Sequence, residues 1–262
     1  MNIVLLGSDR RPGQTHWRTD TMIVVMLNPQ AKQAGIISLH RDLWVNTPKG
    51  ATKNNTVDYG VGTAGMKQTL TALLGIPIDY YVRIEFDGLV KAIDTLGGVT
   101  VNVDCPFTEY YQDPRVPGGV RTLRVPAGRV RFTGQMALDY SRSRLSSSVS
   151  DRMKRQMKVL LGVREKLLTP ETFPRIPELW DKTKGLVKTD LPPSLIVPLA
   201  KLASELSLTD AHGLVVNERF GRVTYSPQKW WIVAPDVNAI RGAVRGIFSA
   251  PALTNSVKGA GC

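Results

Sequence analysis

Cysteine and histidine are scarce in this chain, with two cysteines and three histidines among 262 residues. Cys105 and Cys262 lie far apart and lack the CxxC or Cys/His spacing of a zinc site; whether they pair is left open by the sequence. His16, His40 and His212 come without a GxSxG elbow, which weighs against a Ser-His-Asp hydrolase. Walker and dinucleotide glycine loops are also missing. The longest apolar runs, such as MIVVML at 22–27, fall far short of the roughly 20 residues that cross a bilayer. No internal repeat or low-complexity linker divides the chain, so a single domain over 1–262 is expected.

What is present fits a folded enzyme or binding domain. Hydrophobic residues make up 42% and charged residues 21%, which excludes a disordered or membrane-embedded chain. The 34 Lys and Arg against 22 Asp and Glu give a formal charge of +12, which favours nucleic acid, anionic lipid or phosphorylated substrates. The basic residues are spread along the whole chain, with no lysine-rich tail and no zinc finger, so nucleic acid is not the expected partner. NIVLLG at 2–7 already reads as a buried strand and leaves no room for a signal peptide or anchor. The chain is therefore read either as cytoplasmic or as missing upstream sequence.

Three β-like runs open the sequence at Asn2–Leu6, Thr21–Leu27 and Gly35–Leu39. Arg11-Pro12-Gly13 and Asn28-Pro29 break them apart, and gaps this short predict consecutive antiparallel pairing. In such a meander the end of the first strand, the start of the second and the end of the third share one edge. Those places read Gly7-Ser8-Asp9-Arg10, Arg18-Thr19-Asp20-Thr21 and His40-Arg41-Asp42. Helices are predicted over Gly65–Leu74, Gly88–Leu96, Thr133–Ser143 and Ser150–Leu168, the last with Ser150 as N-cap. Strands are predicted at Asp79–Phe86 and Val99–Val103, and 104–130 reads as a long excursion with a hairpin. The 150–168 helix places Met153, Met157 and Leu160 on one side and Arg152, Arg155 and Gln156 on the other, an apolar back and a basic front. Beyond Pro170, helices over Pro174–Lys184, Pro193–Leu206 and Asp236–Phe248 alternate with a strand near Leu214–Asn217.

Two carboxylates on adjacent strand ends, with no His or Cys at ligand spacing, suit a hard cation that keeps several waters, and Mg²⁺ is the natural candidate for Asp9 and Asp20. Each has a plainer reading. Asp9 beside a Pro-Gly turn suits a turn former, Asp20 a salt bridge with Arg18, and Arg41 a local ion pair with Asp42. Arg18, Arg41, Arg142, Arg144, Arg152 and Arg155 recur in segments able to converge, and the planar guanidinium fork matches phosphate oxygens. For Arg152 and Arg155 the plainer reading is a solvated helix face.

The residues resemble a known family, that of the LytR-CpsA-Psr domain proteins. The resemblance rests on NIVLLGSDRR at 2–11, RTDTMIVVMLNP at 18–29, ISLHRDLWV at 37–45, KNN at 53–55, LLGIPIDYYVRIEF at 73–86, LGGVTVNV at 96–103, GQMALDYSRSR at 134–144 and DRMKRQ at 151–156. It implies a three-layer α/β/α fold with a central mixed, largely antiparallel sheet. It further implies a phosphotransferase that moves a glycopolymer from a polyprenyl-pyrophosphate carrier onto peptidoglycan as a phosphodiester, at the outer face of the cytoplasmic membrane. On the family's pattern, Asp9 and Asp20 match Mg²⁺-linked aspartates and, with Arg41, the catalytic set; Arg18, Arg41, Arg142, Arg144, Arg152 and Arg155 match pyrophosphate-binding arginines; Lys53 and Gln156 match polar positions at the head group. For the prenyl chain, Leu70, Leu74, Phe86 and Val90 are lining guesses.

Three departures stand out. Val149 occupies a place that is often acidic in the family, His40 replaces the usual proline before Arg-Asp, and the membrane anchor that precedes family domains is not in this sequence. The alternatives carried are a phosphatase acting on the same pyrophosphate, and a non-catalytic module binding anionic polymer or nucleic acid, as a transcriptional attenuator would.

Overall fold

In a computed structural model of the chain, residues 1–11, 13–113, 116–143, 149–206 and 211–249 are described. The first part holds β1 (Asn2–Ser8), β2 (Thr19–Asn28), β3 (Gln33–Leu39), β4 (Trp44–Thr47), β5 (Gly50–Lys53), α1 (Val57–Leu74), β6 (Tyr80–Glu85) and α2 (Phe86–Thr95). There follow β7 (Val99–Val103), β8 (Phe107–Gln112), β9 (Val120–Val125), β10 (Gly128–Phe132), α3 (Gly134–Arg142), α4 (Val149–Leu167) and α5 (Ile176–Thr183). The last part holds β11 (Val187–Thr189), α6 (Ile196–Glu205), β12 (Ala211–Val216), β13 (Gly221–Tyr225), β14 (Trp231–Pro235) and α7 (Val237–Arg245). Two compact units result, one of Met1–Gly88 with the described residues from Lys184 on, the other of Leu89–Thr183.

The first unit is built on the expected meander. β1 pairs antiparallel with β2, and β2 with β3. Among the described residues the sheet runs β11-β6-β1-β2-β3-β12, with β6 parallel to β1, β12 parallel to β3 and β11 antiparallel to β6. The sheet is thus mixed and largely antiparallel, as expected. Val4, Leu6, Met22, Val24, Ile37 and Leu39 pack with Met66, Leu70 and Leu73 of α1 and Ile240 and Val244 of α7. Ile3, Ile23 and Ile36, which alternate with them, are buried as well. Both faces of the sheet are therefore covered, which is why its strands read as nearly unbroken apolar runs.

Helix α1 starts at Val57, eight residues before the predicted Gly65. The segment is kinked at Gly62, whose φ of 72° and ψ of 177° are not helical, so the helix predicted from Gly65 corresponds to the part beyond the kink. The exit matches expectation: Gly75 is left-handed and donates to the Thr71 carbonyl at 2.9 Å, two residues before Pro77. The hairpin β4–β5 was not anticipated.

The second unit has its own core, in which Val99, Val101 and Val103 of β7 pack with Phe132, Ala137, Tyr140 and Val159. β7 pairs with β10, and the predicted hairpin within 104–130 is β8–β9. Thr133 caps α3 by accepting from the Met136 amide at 3.3 Å. Helix α4 is not divided into an apolar back and an open basic front: Met153 and Met157 are buried, and so are Arg152, Gln156 and Lys158. The N-cap assigned to Ser150 lies outside the described side chains, as does Val149.

Candidate functional site

The loop between β1 and β2 is closed at its base by Asp9, whose amide donates to the Arg18 carbonyl at 3.0 Å and whose Oδ1 accepts from the Arg18 amide at 2.6 Å. One step further the ladder slips: Gly7 faces Thr21 but Ser8 faces Thr19, so Asp20 is the extra residue of a β-bulge. A bulge bends its strand and redirects side chains. Asp20 uses this freedom to meet Arg41, whose Nη1 donates to its Oδ2 at 2.9 Å, and Asn55, whose Nδ2 donates to its Oδ1 at 3.3 Å. The plainer expectation of an Asp20–Arg18 salt bridge is replaced by Asp20–Arg41.

Arg41 follows β3 and is held from two sides. Its Nε donates to Asp42 Oδ2 at 3.2 Å, and Asp42 Oδ1 accepts from Lys53 Nζ at 2.8 Å. The chain Asn55–Asp20–Arg41–Asp42–Lys53 thus joins the strand edge to the end of β5 and the turn beyond it. Asn55 is placed by its amide, which donates to the Arg41 carbonyl at 2.9 Å, and Asn54 by its amide on the Leu43 carbonyl at 2.8 Å. His40 Nδ1 accepts from the Asp42 amide at 3.0 Å, and its Nε2 faces Glu218 Oε1 at 3.5 Å. Burial alone raises the Asp42 pKa, but the Lys53 hydrogen bond and the charges of Arg41, Lys53 and His40 outweigh it and hold the carboxyl below its ordinary value. Arg41 spends two of its five N–H donors on carboxylates, which fixes the guanidinium plane and leaves donors over for an anion.

A second ionic group steadies the same loop. Asp58, buried on α1, accepts from Arg83 Nη1 at 2.8 Å and from Trp17 Nε1 at 3.4 Å. Arg10 lies over the Trp17 ring at 4.6 Å. The expected ion pair of Arg41 with Asp42 is present, but its extension to Lys53 was not expected. Sequence reading missed the roles of Asn55, Asp58 and Arg83, of which only Asn55 lay in a quoted run, KNN at 53–55.

In the second unit, Arg142 ends α3 on the surface, and Arg152 is buried on α4. Arg155 Nη2 donates to the Ser143 carbonyl at 2.6 Å, and burial lowers its pKa from the ordinary arginine value. Gln156 Nε2 donates to the Ser141 carbonyl at 3.4 Å. The solvated-face reading of Arg152 and Arg155 is therefore removed, since Arg152 is 6% exposed and Arg155 is half-buried. Arg144 and Cys262 lie outside the described residues. Of the residues guessed for a prenyl pocket, Leu70 and Leu74 are packed in the first unit's core, and Phe86 and Val90 are half-buried.

No group of three or more His, Cys, Asp or Glu placed to hold a metal occurs among the described residues. The donor chemistry of Asp9 and Asp20, hard oxygens at neighbouring strand ends, fits an ion that takes one or two protein carboxylates and fills its remaining positions with water and phosphate oxygens.

At one edge of the central sheet of this α/β domain, Asp20 and Arg41 meet Asp42 and Lys53, and the planar guanidinium fork held there has the geometry that matches phosphate oxygens. The LytR_cpsA_psr family model matches residues 1–225, and the chain belongs to that family. It is 33% identical over 190 residues to the polyisoprenyl-teichoic acid–peptidoglycan teichoic acid transferase TagU of Enterococcus faecalis, covering 71% of this chain and 58% of that protein. It is 30% identical over 197 residues to the biofilm regulatory protein A of Streptococcus mutans, covering 71% of this chain and 47% of that protein. The chain thus spans about half the length of these curated relatives. Among solved structures, the fold is shared with TagV of B. subtilis, at a TM-score of 0.78, 24% identity and coverage of 95% and 97% of the two chains. It is also shared with TagT bound to LIIa-WTA, at a TM-score of 0.74, 22% identity and coverage of 95% and 91%.

Proposed function

We propose that this domain is a phosphotransferase that moves a glycopolymer from a polyprenyl-pyrophosphate carrier onto peptidoglycan as a phosphodiester. The observation that carries the reading is Arg41, clamped between Asp20 and Asp42 at the sheet edge in a chain of this family. The relative from Enterococcus faecalis is named for such a transfer from a polyisoprenyl carrier.

In this reading an acceptor hydroxyl of the wall attacks the phosphorus that bears the glycan, and the bond to the bridging oxygen breaks to release polyprenyl phosphate. Negative charge grows on the bridging and non-bridging oxygens as that bond opens. Arg41 meets that charge with donors already oriented by Asp20 and Asp42, so little reorganisation is needed at the moment of reaction. Lys53 and Arg18 add positive charge from the same unit. In the other unit, Arg142, Arg144, Arg152, Arg155 and Gln156 are proposed as phosphate-binding residues. Mg²⁺ held by Asp9 and Asp20 would supply charge neutralisation on the phosphate oxygens. The site of action is proposed as the outer face of the cytoplasmic membrane; among the described residues no helix is long and apolar enough to cross it.

The test is turnover of a lipid-linked glycan with Mg²⁺ and peptidoglycan, in the native chain and in Asp9→Ala and Asp20→Ala. Phosphodiester-linked product that both substitutions abolish supports the proposal. Release of free sugar phosphate would make the domain a phosphatase. Polymer binding that survives both substitutions, falls steeply with salt and yields no product would make it a binding module.

A further inference from the structure

The hairpin β13–β14 gathers exposed aromatic and aliphatic side chains that no step above uses. Of the eight large hydrophobic residues exposed among the described residues, four lie here: Tyr225 (69% exposed), Trp230 (47%), Val223 (47%) and Trp231 (37%). Their placement is ordered. Tyr225 faces Trp231 across the hairpin, and Val223 stands two residues along on the same face. The tip is rigid: the Lys229 amide donates to the Ser226 carbonyl at 2.9 Å, and Ser226 Oγ accepts from the Gln228 and Trp230 amides at 3.2 Å each. Lys229 takes a left-handed φ of 61° to complete the turn.

Charge separates the readings of such a patch. Between Gly221 and Pro235 there are two cations, Arg222 and Lys229, both exposed, and no Asp or Glu. Exposed Trp and Tyr flanked by Lys and Arg match the headgroup layer of an anionic bilayer, where the rings sit at the apolar boundary and the cations meet lipid phosphates. We propose that the β13–β14 hairpin is a membrane-contact element that seats in an anionic lipid surface. The hairpin is tied to the candidate site: Val233 donates to the Asp42 carbonyl at 3.0 Å, and the Trp231 ring lies 5.9 Å from that of His40. A hairpin held in the headgroup layer would thus keep the Arg41–Asp42 turn close to lipid phosphates. The family match ends at residue 225, so the tip and β14 lie beyond it. The proposal stands apart from the transferase reading, because binding is measured with no substrate present.

The chain is mixed with vesicles of phosphatidylcholine alone, or of equal parts phosphatidylcholine and phosphatidylglycerol, and binding is followed by sedimentation and by quenching of tryptophan with shallow lipid-borne quenchers. Sedimentation with the anionic vesicles is expected, with weaker binding to the neutral ones. Lys229→Gln and Arg222→Gln should each weaken binding about fivefold, and Trp230→Ser with Tyr225→Ser by roughly tenfold. These positions are exposed, and unchanged unfolding curves will show that the variants are folded. Equal binding by variants and native chain, equal binding to both vesicle types, or no binding to either would overturn the proposal. So would a soluble peptidoglycan fragment that binds without vesicles and is lost in Trp230→Ser, since it would make the patch a glycan platform.

Discussion

Replacing Asp42 by Asn removes one charge from the centre of the site while keeping its shape. Asp42 accepts from Lys53 at 2.8 Å and from Arg41 at 3.2 Å, with its own side chain 9% exposed and those of Lys53 and Arg41 21% and 17% exposed. Two charge-assisted bonds of about 1.5–3 kcal/mol each set the upper bound. Partial exposure of the cations screens them, and Arg41 retains Asp20. A net loss of roughly 2–3 kcal/mol at pH 7 follows, about 4–10 °C in Tm for a chain of this size. The pH dependence carries its own sign. Because the folded-state pKa of Asp42 is depressed, its stabilisation is present above the ordinary aspartate value and is lost as pH falls through the folded-state value. Urea unfolding of both chains from pH 7 down to about pH 3 should show the difference shrinking below roughly pH 4. A difference of equal size at both ends, or none at pH 7, would refute the electrostatic assignment of Asp42.

Further outcomes follow from the same geometry. Arg41→Lys keeps the charge but loses the planar fork that spans Asp20 and Asp42, so kcat/KM should fall by roughly 10²–10³ with circular dichroism unchanged; an unaltered rate would remove Arg41 from the chemistry. Asp58→Ala strands the charge of Arg83, whose side chain is 10% exposed, and should cost about 3–5 kcal/mol in urea; adding Arg83→Met should recover part of the loss, and a double variant no better than the single would contradict the pairing. Gly134 opens α3 with its missing Cβ directed at the Val90 carbonyl oxygen, which lies too close for that carbon to fit without a backbone shift. Gly134→Ala should therefore lower the thermal midpoint by several degrees, and an unchanged midpoint would mean that the α3–α2 approach is slack.

Much of the fold was readable because the opening strands are apolar on both faces and separated by Pro and Gly, so their order and pairing followed from spacing. β4–β5 escaped because Asn46, Thr47, Thr52 and Lys53 carry no apolar alternation, and its pairing depends on a turn with Gly50 at a φ of 112°. The meander argument brought Asp20 and Arg41 to one edge, and the bulge then decided that Asp20 meets Arg41. No local pattern announces a bulge one residue long. Asp42 looked like a solvated neighbour of Arg41 because its partner Lys53 is eleven residues away, and Asp58 and Arg83 are separated by 25. Arg152 and Gln156 on α4 read as an open face, since polar residues look exposed until the groups that cover them are known.

The transferase reading is tested most directly by the product bond. The domain is incubated with a polyprenyl-pyrophosphate-linked glycan, Mg²⁺ and peptidoglycan, the wall is digested, and the muropeptides are analysed by ³¹P NMR and mass spectrometry. A phosphodiester between glycan and muropeptide, formed by the native chain and absent with Arg41→Ala, is the predicted result. Free glycan phosphate with no muropeptide adduct, or an adduct formed equally by Arg41→Ala, would contradict it.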